Sequence, residues 1–259
     1  MTDTLPVRPP AVAGQFYPAD SGHLAHEVDA LLAAAPFGPP ARAYVVPHAG
    51  YQYSGSTAAH VYRGLRARRI VLIGPSHFLA ISGCAVPAAA AWRTPLGTMP
   101  IDVDAGDALV SAGLVARHDS PHAAEHSLEV QVPFLQRTVG SGVPVLPIAV
   151  GRATADEVAA VLAACAHGAV VLCSTDLSHY LDESAARVAD TRTLEAIAEL
   201  DPTKIGTVDA CGAFALRGLL RWAASESLVP ALVHRTTSAD HGGDPHRVVG
   251  YAAVAMVRP

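Results

Sequence analysis

The sequence predicts a single α/β domain over residues 1–259, with a mostly parallel central sheet flanked by helices on both faces. Three observations carry that expectation. Short apolar, β-branched runs alternate with helical patterns from residue 43 to the end of the chain, the order that builds parallel sheets. The strand runs are continuously apolar and stop at proline or glycine, as buried strands do. No internal repeat, linker or low-complexity tract interrupts them, and 259 residues suffice for one large core.

In chain order, residues 1–19 are proline-rich and read as extended coil packed on the body. Asp20 or Ser21 caps a helix to about Ala34, with Leu24, Val28, Leu31 and Leu32 on one face. Ala43–Val46 is the first core strand; it ends at Pro47, which cannot donate a ladder bond. Ser54 or Ser56 starts a helix to about Leu65. Residues 70–73 form the second strand, broken at Gly74-Pro75-Ser76-His77. Trp92 to Thr98 reads as a hairpin with a Pro/Gly turn. A helix follows over about 104–112. Pro121 then opens another, whose face carries Leu128, Val132 and Leu135.

Residues 143–150 are a third strand, whose prolines suggest an edge or a bent course. Thr154 caps a helix to about His167. Residues 169–173 are the clearest strand, ending in Ser174-Thr175-Asp176-Leu177-Ser178-His179-Tyr180. Helices fill 183–200 and 211–224, and residues 230–236 and Val248–Val257 are closing strands.

Composition narrows the function. The net charge is -5 and no basic run occurs, which argues against nucleic acid. No apolar stretch has the roughly 18 residues of a membrane span. Residues 1–10 have no hydrophobic segment of the signal-peptide kind. Cys84, Cys165, Cys173 and Cys211 form neither a close pair nor a metal-finger spacing. Together these features predict a reduced, cytoplasmic protein.

Three core strands end in polar residues of one chemical type. His48 follows the first, His77 the second, and Asp176 with His179 the fourth. In open α/β sheets ligands bind at the carboxyl ends of parallel strands, so these side chains point to one shared site. Each histidine alone is equally a loop residue bonded to its own backbone. Neutral imidazole is the commonest ligand of first-row metals. Asp176 and His179 have the spacing of an acid/base pair, though Asp176 is also a candidate helix N-cap. Cys211 stands at a helix start, where a thiol pKa falls and thiolate forms, or it is a buried structural cysteine.

His122-Ala123-Ala124-Glu125-His126 matches the H-x-x-E-H pattern of inverted zinc peptidases. A zinc hydrolase using His122, Glu125 and His126 is therefore a competing reading, which leaves His48, His77 and His179 unexplained. Tyr51 and Tyr53 either line the pocket or pack as core rings. His241, Asp244 and His246 read as solvated turn residues.

The motifs together resemble one family. The run from Arg8 to Pro18, with Pro47-His48-Ala49-Gly50-Tyr51, Gly74-Pro75-Ser76-His77, Glu125-His126-Ser127-Leu128-Glu129-Val130-Gln131, Ser174 to Tyr180, Cys211-Gly212 and Val248-Val249-Gly250-Tyr251, is similar to the Memo family in that family's order. These are the proteins also called system protein B of the AmmeMemoRadiSam group. The resemblance covers essentially the whole chain. It implies a fold like that of class III extradiol dioxygenases of the LigB type. It also implies one divalent metal, Fe(II) first and copper second, on His48, His77 and Cys211. Asp176 and His179 would then serve as catalytic residues, with Glu125 and His126 behind the metal and Tyr51 against substrate. The implied activity is dioxygenase-like oxidation of a small molecule such as a phenol. The alternative is a non-catalytic metal-binding adaptor, with radical-SAM and AMMECR-type proteins as partners.

Overall fold

In the computed structural model, which describes residues 6–259, the chain opens with a short strand, β1 (Val7–Arg8). The expected coil is therefore in part a strand, paired in parallel with β5 below. Asp20 caps α1 (Ser21–Ala34) by accepting the His23 N–H at 2.8 Å. After β2 (Ala43–Val46) the chain passes through Pro47 and His48 into α2 (Tyr51–Tyr62). This helix starts before Ser54, because Gly50 caps it with no side chain. The loop carrying His48 is correspondingly short.

β3 (Ile70–Pro75) and β4 (Cys84–Val86) precede a hairpin of β5 (Ala91–Thr94) and β6 (Gly97–Pro100). Next come α3 (Val103–Ser111), β7 (Ala116–Arg117) and a single turn, α4 (Ser120–Ala123). The expected helix through His126 does not form. The chain leaves α4 after Ala123, turns, and only then enters α5 (Val132–Thr138).

β8 (Val145–Val150), α6 (Ala155–Cys165), β9 (Val170–Ser174), β10 (His179–Leu181), α7 (Glu183–Ala198), α8 (Ala213–Ser225), β11 (Val229–Thr237) and β12 (Val248–Val257) complete the chain. Thr154 and Glu157 form a capping box at the start of α6.

Among the described residues the main sheet has nine strands, in the order β10-β12-β2-β9-β3-β8-β4-β7, with β11 also on β12. β2, β9, β3 and β8 are mutually parallel. β12 runs antiparallel to β2, β10 and β11, and β4 antiparallel to β8, so the sheet is mixed. β8 is not an edge strand. β4 reaches only its Val150 and Ala149, which leaves Pro147 an edge-like position on that side.

The period-2 pleat divides the core between the two faces. Tyr44, Val46, Ile70 and Leu72 pack with the side chains of α1, α2 and α5. Ala43, Val45, Val71 and Ile73 pack with α6 and α8 on the other side. No described helix is long and apolar enough to cross a membrane.

Candidate metal centre

Because β2, β9 and β3 are parallel neighbours, their C-terminal ends lie along one edge. His48, Asp176 and His77 sit in the loops that leave them. These loops wall a cavity of about 640 Å³ that also takes His126, His179 and Cys211. The ligand atoms of His48, His77 and His126 all lie within 4.8 Å of one another. That spacing suits three imidazoles around one first-row ion, whose bonds to nitrogen are about 2.0–2.1 Å.

His48 is 2 % exposed. Burial first, then the neighbouring His77, His126 and His179, hold its pKa well below the usual histidine value. Its backbone N–H donates to Asp176 Oδ1 at 2.7 Å, and its Nε2 lies 3.2 Å from Cys211 Sγ. His77 Nδ1 donates to Glu125 Oε1 at 2.9 Å, since a carboxylate only accepts. Nε2 is thereby the lone-pair nitrogen, the arrangement of carboxylate-backed metal histidines. Glu125 also accepts the His77 and Ser127 backbone N–H groups. Burial alone raises its pKa, but the His77 bond and these N–H groups prevail and hold it down at about 2. His126 is lowered to about 4 by burial, partly offset by Glu125. Its ring lies 4.8 Å from that of His77 and 4.5 Å from that of Phe16.

The third member of the inward-facing group is thus His126, and Cys211 stands beside His48 outside that group. Gly212 makes the approach of Cys211 feasible, because a Cβ there would meet Thr175 Cβ and Oγ1 at 2.8 Å. The thiol pKa is not lowered by the start of α8. Burial and the Asp176 charge push it up to about 12. Were Cys211 to coordinate a cation, that balance would reverse, since a coordinating thiol loses its proton outright.

His179 lines the cavity, with Nδ1 donating to the Leu177 carbonyl at 2.8 Å. Asp176 does not orient it; the Asp176 carboxylate faces His48, and burial raises its pKa to about 7. Tyr180, at φ 60, borders the cavity with a largely exposed ring, on which Arg247 stacks at 4.4 Å. Tyr51 is turned away from the cavity's ligands. Its hydroxyl donates to Val130 O at 2.6 Å and its ring packs on Phe134 and Tyr17.

His122 is no ligand partner of His126. It lies within the short α4, with Nε2 3.1 Å from the Ala85 carbonyl and its ring against Trp92. The H-x-x-E-H spacing thus places no zinc pair on a helix face. Sequence reasoning also missed Phe16 as a wall of the cavity. A network that ties the N-terminal segment down explains its position. Glu129 accepts from Arg8 Nη1 at 2.6 Å, from Tyr17 Oη at 2.6 Å, and from the Ala11 and Val12 N–H groups. Arg8 and Glu129 are both buried.

The Memo-like protein family profile matches residues 8–255. A MEMO1 family protein of Aeropyrum pernix is 34% identical, over 97% of this chain and 100% of its own length. One from Methanosarcina acetivorans is 35% identical over 97% and 100%. A third, from Methanococcoides burtonii, is 36% identical over 96% and 100%. On this whole-length match, the chain belongs to the Memo family.

Proposed function

We propose that this protein is a mononuclear metal-dependent oxidoreductase, iron-loaded in preference to copper, acting on a small phenol-like molecule. The observation that carries this is the convergence of His48, His77 and His126 on one point of a cavity large enough for a small ligand beside an ion. The donor set fits a first-row metal: imidazoles with a thiol alongside are ligands for iron, copper and zinc rather than for calcium or magnesium.

When bound, such an ion supplies the redox chemistry. The chain's own residues do the rest. His179 has Nδ1–H tied to Leu177, so its unprotonated nitrogen is Nε2. Burial lowers its pKa, which keeps the ring neutral at pH 7 and able to take a proton from a hydroxyl. Phe16, Val208 and Val249 give the cavity apolar walls for a ring. Glu125 holds His77 in register from behind.

The test begins with metal-free protein loaded anaerobically with Fe(II) and then exposed to oxygen with a panel of phenols. Oxygen uptake that disappears in His179→Ala, with metal retained, supports the reading. Tight metal binding without uptake on any substrate favours a metal-carrying adaptor instead. Wild-type Fe(II) binding in a His48→Ala variant would sink both.

A further inference from the structure

One buried group beneath the centre has all its protons accounted for. Tyr62, Gln131, Ser174 and His48 are each 2 % exposed or less, so water cannot substitute for missing partners. The Tyr62 hydroxyl donates to Gln131 Oε1 at 2.7 Å. Gln131 Nε2 donates to the Pro47 carbonyl and to Ser174 Oγ, both at 2.9 Å. The reverse amide orientation would set two oxygens against each other at Pro47, so the orientation is fixed by its neighbours. The Ser174 hydroxyl has one proton, and it goes to the Ser127 carbonyl at 2.6 Å. Toward Gln131 and toward His48, Ser174 Oγ only accepts. His48 Nδ1, 3.0 Å from that oxygen, therefore carries the ring proton.

We propose that Ser174, its hydroxyl locked by Ser127 and Gln131, is a positioning residue that fixes His48 as the Nδ1–H tautomer and so keeps Nε2 as a metal donor. In water a neutral imidazole favours the opposite tautomer, with the proton on Nε2. Without the lock that proton would face the cavity, and metal binding would first have to move it. The chain of donors reaches from the C-terminal end of α2 to the loop after β2, so one run of side chains fixes both the ring's rotation and its proton. This role rests on reading His48 as a metal ligand, but the tautomer itself does not.

The experiment has two arms. In metal-free protein, long-range 15N–1H correlation spectra of the imidazoles report which nitrogen of His48 is protonated. Nδ1–H is expected in the wild type, and a shift of population to Nε2–H in Ser174→Ala. In the second arm Co(II), a spectroscopic probe, is titrated into wild type, Ser174→Ala and Ser174→Thr. The alanine variant should bind about 10- to 100-fold more weakly, the usual cost of losing a group that backs a ligand. Threonine, which keeps the hydroxyl, should recover most of that loss. An Nε2–H His48 in the wild-type protein overturns the proposal without any variant. So does an alanine variant with wild-type Co(II) affinity. Failure of the wild type to bind Co(II) at all would overturn the metal role of Ser174 and the metal-dependent reading with it. It would leave the tautomer measurement standing.

Discussion

His60 and His234 lie face to face, ring centroids 3.9 Å apart and 10° from parallel, whereas His48 stands edge-on to both His77 and His126, at 78° and 88°. Imidazole lone pairs lie in the ring plane. His77 and His126 are themselves close to parallel, at 18°, so stacking alone does not tell the two groups apart. The difference is the third ring: His48 stands edge-on to that pair, and its ligand atom lies within 4.8 Å of theirs. The supporting bonds differ as well. His60 Nδ1 bonds to the Ser56 carbonyl of its own helix and His234 Nδ1 to Thr57 Oγ1, so that pair fastens β11 to α2. His77 is backed by a buried carboxylate instead. Histidine count alone says little; which nitrogen is left over, and where it points, says more.

That contrast can be broken or sharpened in graded steps. His48→Ala removes the ring perpendicular to the other two, and Co(II) affinity measured by titration should fall more than ~100-fold. Glu125→Gln should cost about 10- to 100-fold. An amide has one acceptor oxygen, whereas the His77 and Ser127 donors use both oxygens of the carboxylate. A Glu125→Gln variant with wild-type affinity would show that His77 needs no backing.

His122 gives a smaller, pH-dependent effect. Burial holds its pKa at about 4 in the folded protein, below the value of an exposed histidine. Between about pH 6.5 and 4 the unfolded chain therefore binds the extra proton. Stability is full above that window and declines as pH falls through it. His122→Gln keeps a donor for Ala85 and should flatten that part of the slope in urea denaturation of the metal-free protein. The smallest effect is expected at the stacked pair. His60→Gln and His234→Gln should leave Co(II) stoichiometry unchanged and shift unfolding free energy by about 1 kcal/mol or less.

Much of this was legible in the chain. The β2 and β3 runs and the histidines after them follow from apolar patterning and from proline and glycine stops, which are local signals. His126 was harder to place. Its spacing from His122 suggests one helix face, and only the break after Ala123 shows that the two rings part company. The start of α2 lies ahead of its first serine for a similar reason. Patterns of capping side chains point to serine, and here a glycine caps without one. The antiparallel placement of β12 beside β2 is not encoded in any period, because a buried strand has the same pattern in either direction. Nor does spacing reveal Arg8 against Glu129, a buried pair formed by residues far apart in the chain.

The cavity wall begins at Phe16 and finishes at Val249. Those pieces are far apart in the chain, so the pocket is complete only after long-range pairing has brought both segments together, at the entropic cost of closing a long loop. A His48–His77–His126 group that could hold an ion is therefore a product of the finished sheet and not of any local segment.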